Sequence, residues 1–177
     1  TGRTLQWLLY AMAQCRRYKK MKLSCAVDIF DKDSATQFYA LCIHINRNRA
    51  YLSFRGTGDD LVGWKEDFLL ACIPEIQSQR EALNYLERVA ALYPEKTFML
   101  GGHSKGGNLA VYAAASASEE IQNRIVSVWS NDGPGFQNEM LISDGYQRIA
   151  FAVHHIVPKS SVVGMLLGRN GDCQVVE

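Results

Sequence analysis

The chain has 177 residues, of which 47% are hydrophobic and 21% charged, an ordinary globular composition that fits one domain over residues 1–177. A net charge of +1 excludes the strong basic field that selects nucleic acid or an acidic surface, and no apolar run is long enough to span a bilayer. The five cysteines (Cys15, Cys25, Cys42, Cys72 and Cys173) are scattered, odd in number and lack a C-x-x-C pair, which argues against a disulfide framework or a metal site and for free thiols in a reducing, cytoplasmic setting.

Thr4 is placed to cap a first helix, with Leu5, Leu8, Leu9 and Met12 on one face. The segment after it is basic (Arg16, Arg17, Lys19, Lys20, Lys22) and suits the helix dipole and a solvated surface. Residues 37–45 alternate and are rich in β-formers, Asn46-Arg47-Asn48 signals a turn, and residues 49–54 form a second strand. This hairpin runs into Phe54-Arg55-Gly56-Thr57-Gly58, where a glycine allows close approach and Thr57 can supply an N–H to an oxyanion; a plain glycine turn is the alternative. Asp67 is expected to pair with Arg55. Ser78-Gln79-Arg80-Glu81 has a capping-box pattern, and Ala82, Leu83, Leu86, Val89, Ala90 and Tyr93 behind it fall at helical spacing up to Pro94. This is a crossover helix leading into the next strand.

Residues 97–115 carry the strongest signal. A short apolar run passes through Gly102-His103-Ser104-Lys105-Gly106 into a small-residue helix, which is G-x-S-x-G with strand before and helix after. Such a bend holds a serine in a strained conformation with its hydroxyl out of the sheet, and side chains at 102 and 106 would collide across it. The helix N-terminus then directs free N–H groups, that of Lys105 among them, to where negative charge develops in acyl transfer. The Lys105 side chain is expected in solvent, with a bias toward anionic substrates as the alternative.

Residues 125–129 read as a further strand, with Ser130-Asn131-Asp132-Gly133-Pro134-Gly135-Phe136 as the loop at its end, and residues 148–157 as another apolar run stopped by Pro158. Strands alternating with helices predict an α/β fold: a mostly parallel sheet with helices on both faces and an antiparallel hairpin at its entry edge. Thr57, Ser104, Asp132 and His155 all fall at predicted strand ends, where ligands bind in such sheets. A serine nucleophile needs a base, and the base needs an acid. Asp132 is the best acid in the chain, with a local turn as its alternative; Asp144 and Asp172 follow no clear strand. His44 and His103 read as structural. His154 and His155 project to opposite faces of one strand end, and His155 is the candidate base within the chain, with local packing as its alternative.

These residues resemble a known family. Phe54-Arg55-Gly56-Thr57, the 102–110 stretch and Ile156-Val157-Pro158 resemble the class 3 lipases. The stretches 61–68, 130–136 and 158–167 resemble more closely the bacterial Mbeg1-like proteins. The resemblance implies an α/β-hydrolase fold and a lipase- or esterase-like serine hydrolase that cleaves a carboxylic ester or lipid through an acyl-enzyme on Ser104. Carried over by position, Thr57 and Lys105 supply the oxyanion N–H groups. Two departures stand out: the position of the lipases' catalytic aspartate is His155, and no histidine follows Pro158. The chain is therefore expected to be incomplete at its C-terminus, with the base beyond Glu177. A thioesterase or acyltransferase on the same site, or a silent hydrolase-fold module that binds an acyl ligand, is the alternative. The expected partner is a small acyl or lipid substrate; no cofactor, metal or nucleic acid is expected, since the serine mechanism needs none and the glycine-rich turn lacks P-loop spacing.

Overall fold

A computed structural model describes the backbone of residues 2–58, 61–171 and 173–177, and their side chains except those of residues 2–5, 61, 64 and 71. The candidate acid Asp172 and the side chains of Thr4, Leu5 and Trp64 therefore lie outside the described residues. Helix α1 (Gly2–Gln14) opens the chain, followed by β1 (Lys22–Asp31), β2 (Thr36–His44) and β3 (Arg49–Phe54). Helices α2 (Leu61–Cys72) and α3 (Gln77–Leu92) then cross to β4 (Thr97–His103), which turns directly into α4 (Lys105–Ser116). The rest comprises α5 (Glu119–Gln122), β5 (Ile125–Asn131), α6 (Asn138–Leu141), α7 (Asp144–Ile149), β6 (Val153–Pro158) and β7 (Cys173–Val176).

Among the described residues the seven strands form one sheet in sequential order, β1 to β7. β1, β2 and β3 pair antiparallel, and β3 through β7 pair parallel. The predicted hairpin and α/β class are both present. The parallel strands end at one edge in register: Phe54, Gly102, Ser130 and His155 lie side by side from β3 to β6. That register decides which residues meet, because everything just beyond those four positions emerges on one rim.

The core sits between the sheet and its helices, around Phe38, Leu52, Phe54, Leu86, Phe98, Leu100, Leu109 and Val128. Residues 105–115 of α4 are all buried. A helix enclosed on every side must be slim where it meets a sheet and must pair any polar side chain it carries, which explains its glycines and alanines.

Several expectations are corrected. The strand β1 has no counterpart in the sequence pattern: it lies at the sheet edge, and a bulge between Ser24 and Val27, with Cys25 at φ 53°, breaks its alternation. Helix α1 starts at Gly2, so Thr4 lies inside it, and Leu8, Leu9 and Met12 are exposed. Helix α3 begins two residues before the expected frame. Its N-cap is Ile76, whose N–H donates to Gln79 Oε1 at 2.9 Å, and Ser78 turns its hydroxyl inward instead. Only the second half of 148–157 is strand, because Arg148 and Ile149 close α7 and residues 150–152 form a 3₁₀ turn. No helix among the described residues is long and apolar enough to cross a membrane.

Candidate functional site

Ser104 sits between β4 and α4 at φ 54° and ψ −130°. For a residue with a Cβ this backbone costs about 1–3 kcal/mol, so its surroundings must enforce it. They do so by close packing. A Cβ at Gly102 or at Gly106 would overlap the Phe54 carbonyl oxygen, so the bend lies flat against the end of β3. The Ser104 N–H donates to the Asn131 carbonyl at 2.9 Å, and the Ser104 carbonyl accepts from Gly107 N–H at 2.9 Å.

Two chain segments flank Ser104. The loop after β3 passes beside it: a Cβ at Gly56 would stand 3.4 Å from Ser104 Cβ. The next residue, Thr57, donates its hydroxyl to Asp67 Oδ1 at 2.6 Å, and Gly58 N–H donates to Gln37 Oε1 at 2.6 Å. On the other side α4 begins. Among the described residues no hydrogen bond engages the backbone N–H of Thr57 or of Lys105, although Lys105 is only 1% exposed. The first amides of an α-helix have no intrahelical partner, and that of Lys105 lies next to the strained Ser104.

The Lys105 side chain corrects the sequence expectation. It is completely buried and forms an ion pair with Glu66, itself 1% exposed. Lys105 Nζ also donates to the Gln37 carbonyl at 2.8 Å. Glu66 accepts in addition from Gln37 N–H at 3.1 Å and from the Ser78 hydroxyl. The expected Arg55–Asp67 pair does not form. Arg55 reaches Asp28 at 3.8 Å and lies over the Tyr39 ring, while Asp67 is taken by Thr57.

The loop after β5 completes the rim. Asp132 follows Asn131, which pairs with His103, so it emerges next to the bend. Its own φ is 54°. Its Oδ1 accepts from the Ser161 hydroxyl and from Gly164 N–H at 3.1 Å, and no hydrogen bond among the described residues engages Oδ2. Buried Asn108, four residues after Ser104, clamps this loop. Its Nδ2 donates to the Pro134 and Gly135 carbonyls at 3.2 and 3.0 Å, and its Oδ1 accepts from Gln79 Nε2 at 2.9 Å. Sequence reasoning does not single out Asn108, Gln37, Glu66 or Ser161. Only Asn108 carries a signal, as a polar residue in a segment otherwise made of small and apolar ones.

The structure brings Thr57, Ser104, Lys105 and Asp132 together and leaves His155 apart. His155 lies in register with Gly102, two residues before Ser104, and β6 is two strands from β4, about 10 Å sideways. It is 5% exposed, and its Nε2 has no hydrogen-bond partner among the described residues. Burial, and then the neighbouring charges of Arg169 and His154, hold its pKa down to about 4. The ring is thus neutral and walled in, so the local-packing alternative stands. His154 stacks on Trp129 with ring centroids 4.3 Å apart. His44 shares a hydrogen bond of 2.7 Å with the Ser24 hydroxyl at the opposite end of the sheet. His103 is exposed at the end of β4, and its ring makes no hydrogen bond among the described residues. Asp144 begins α7, where the Ser143 hydroxyl accepts from Tyr146 N–H at 3.3 Å.

A pH dependence follows from His155. Its folded pKa lies below the unfolded value of about 6.5, so the unfolded chain binds the proton first. The stability linked to this group is complete above pH 6.5 and is lost as pH falls toward 4, by up to about 3 kcal/mol. Denaturant unfolding at pH 7 and pH 4.5 should show that loss in the wild type and a smaller one in His155→Leu.

A family model described as Mbeg1-like matches residues 12–177. No curated protein sequence matches the chain. Among solved structures, the chain is similar to a fungal lipase in an inhibitor complex (TM-score 0.60, 14% identity, 89% of this chain and 66% of that one). It is also similar to the Rhizomucor miehei lipase in its native propeptide complex (0.59, 16%, 92% and 58%) and to lipase II of Rhizopus niveus (0.59, 14%, 86% and 63%). At such identities the likeness is one of fold. The chain spans about three fifths of the length of these lipases.

Proposed function

Since the chain belongs to the Mbeg1-like family and has the fold of the fungal lipases, we propose that it is the core of a lipase-like serine hydrolase acting on a carboxylic ester. The observation that carries this reading is the pair of idle backbone amides, of Thr57 and Lys105, on either side of the strained Ser104. An oxyanion seated there would satisfy both donors at once.

In the proposed reaction Ser104 Oγ attacks the ester carbonyl carbon and gives its proton to a base. The carbonyl oxygen becomes an oxyanion held by the Thr57 and Lys105 N–H groups. As the carbonyl re-forms, the bond to the leaving alcohol breaks and the alcohol takes the proton, leaving the acyl group on Ser104. Water, deprotonated by the same base, then releases the acid. No hydrogen bond among the described residues joins a histidine to Ser104, and the imidazole is proposed to come from outside these 177 residues. Asp132, with Oδ2 unengaged, is the acid proposed to orient it.

A second reading, a silent module that binds an acyl ligand, draws on one fact: no histidine among the described residues is hydrogen-bonded to Ser104. A fluorophosphonate probe with peptide mapping separates the two. Labelling of Ser104 supports the hydrolase; a full-length protein left unlabelled supports the module. Parallel assays with thioesters and acceptor alcohols distinguish an esterase from a thioesterase or acyltransferase on the same serine.

A further inference from the structure

The buried ion pair has no role in the reaction just described, yet it joins both amide-bearing segments. Lys105 contributes its N–H at the bend and sends its side chain inward to Glu66 and the Gln37 carbonyl. Gln37 in turn donates its N–H to Glu66 and, through its side-chain oxygen, accepts from Gly58 N–H, one residue beyond Thr57. A continuous chain of hydrogen bonds thus runs from residue 105 through Glu66 and Gln37 to the loop that carries Thr57.

We propose that Lys105, Glu66 and Gln37 form a buried strut that fixes the separation of the two amides, making them positioning residues for the oxyanion; this rests on the hydrolase reading above. The physical reasoning starts from cost. A buried ion pair contributes little net stability compared with apolar residues of the same volume, so stability alone does not explain its presence. Its directionality does. A lysine ammonium held by a carboxylate and a carbonyl has a defined place, whereas a packed apolar chain lets a helix end slide by fractions of an ångström. Amide donors at an oxyanion tolerate little such slack, since about 1 Å of misplacement costs on the order of a hundredfold in rate. The side chains of Lys105 and Glu66 are buried and bond to each other and to Gln37, so the strut acts through the backbone it holds.

The test pairs two variants in the full-length protein, using a soluble p-nitrophenyl ester. Lys105→Met with Glu66→Gln removes both charges together, keeps an acceptor for Gln37 N–H and avoids stranding a carboxylate. Gln37→Leu cuts the strut at its other end, freeing Gly58 N–H. In each variant kcat should fall at least tenfold with KM within about twofold of wild type and Tm nearly kept, and phosphonylation of Ser104 should slow in parallel. A structural pair would lower Tm and leave kcat per folded molecule unchanged; that result overturns the strut while the hydrolase stands. Failure of both variants to fold also overturns it. A wild type that the probe does not label at Ser104 sinks the hydrolase reading itself, and the strut with it.

Discussion

Ser104→Ala is expected to lower ester hydrolysis by about 10⁴-fold or more and to abolish fluorophosphonate labelling, with the fold intact. Only the hydroxyl is lost. The amides of Thr57 and Lys105 remain, so ester should still bind and KM should change little. Because alanine also has a Cβ, it inherits the φ of 54° and its strain, and Tm should stay near wild type. Ser104→Gly is the informative companion. It removes the same nucleophile and also the strain, so it should be equally inactive but more stable, by about 1 kcal/mol. Equal inactivity with different stability would separate chemistry from folding at one position. Thermal melts and turnover of the three proteins check both halves.

The second large effect is on stability. Lys105→Ala alone should cost about 3–5 kcal/mol, because it leaves Glu66 charged, buried and short of its cation. For a chain of this size that is a fall in Tm of about 6–20 °C. The doubly neutralised Lys105→Met, Glu66→Gln protein should recover most of the loss, since no charge is left behind in the interior. An additive double variant would mean that the two side chains do not interact as the structure has them. Thermal denaturation of wild type, both single variants and the double variant measures the coupling directly.

The parts of the fold legible in the sequence are those whose geometry leaves little choice. Gly102 and Gly106 press on the Phe54 carbonyl, so the bend can be read from residue types alone. The hairpin is legible because β3 and the middle of β2 alternate and a strong turn signal separates the two strands. The bulged edge strand β1 is not, since the extra residue shifts its alternation halfway. Lys105 departs from its expected exposure for a general reason: lysines are rarely buried, and its partner Glu66 lies 39 residues earlier, on a helix whose placement no local pattern reveals. The same holds for Asp67, which bonds Thr57 while its expected partner Arg55 reaches across to β1. Long-range polar pairs are set by how α2 and α3 lie on the sheet, and that is a tertiary outcome.

The most direct measurement is a crystal structure of the full-length protein after phosphonylation. The adduct should be on Ser104 Oγ, with its phosphoryl oxygen about 2.7–3.1 Å from the backbone nitrogens of both Thr57 and Lys105. A phosphoryl oxygen turned to solvent, or an adduct on any other residue, would contradict the proposal that these amides hold the oxyanion.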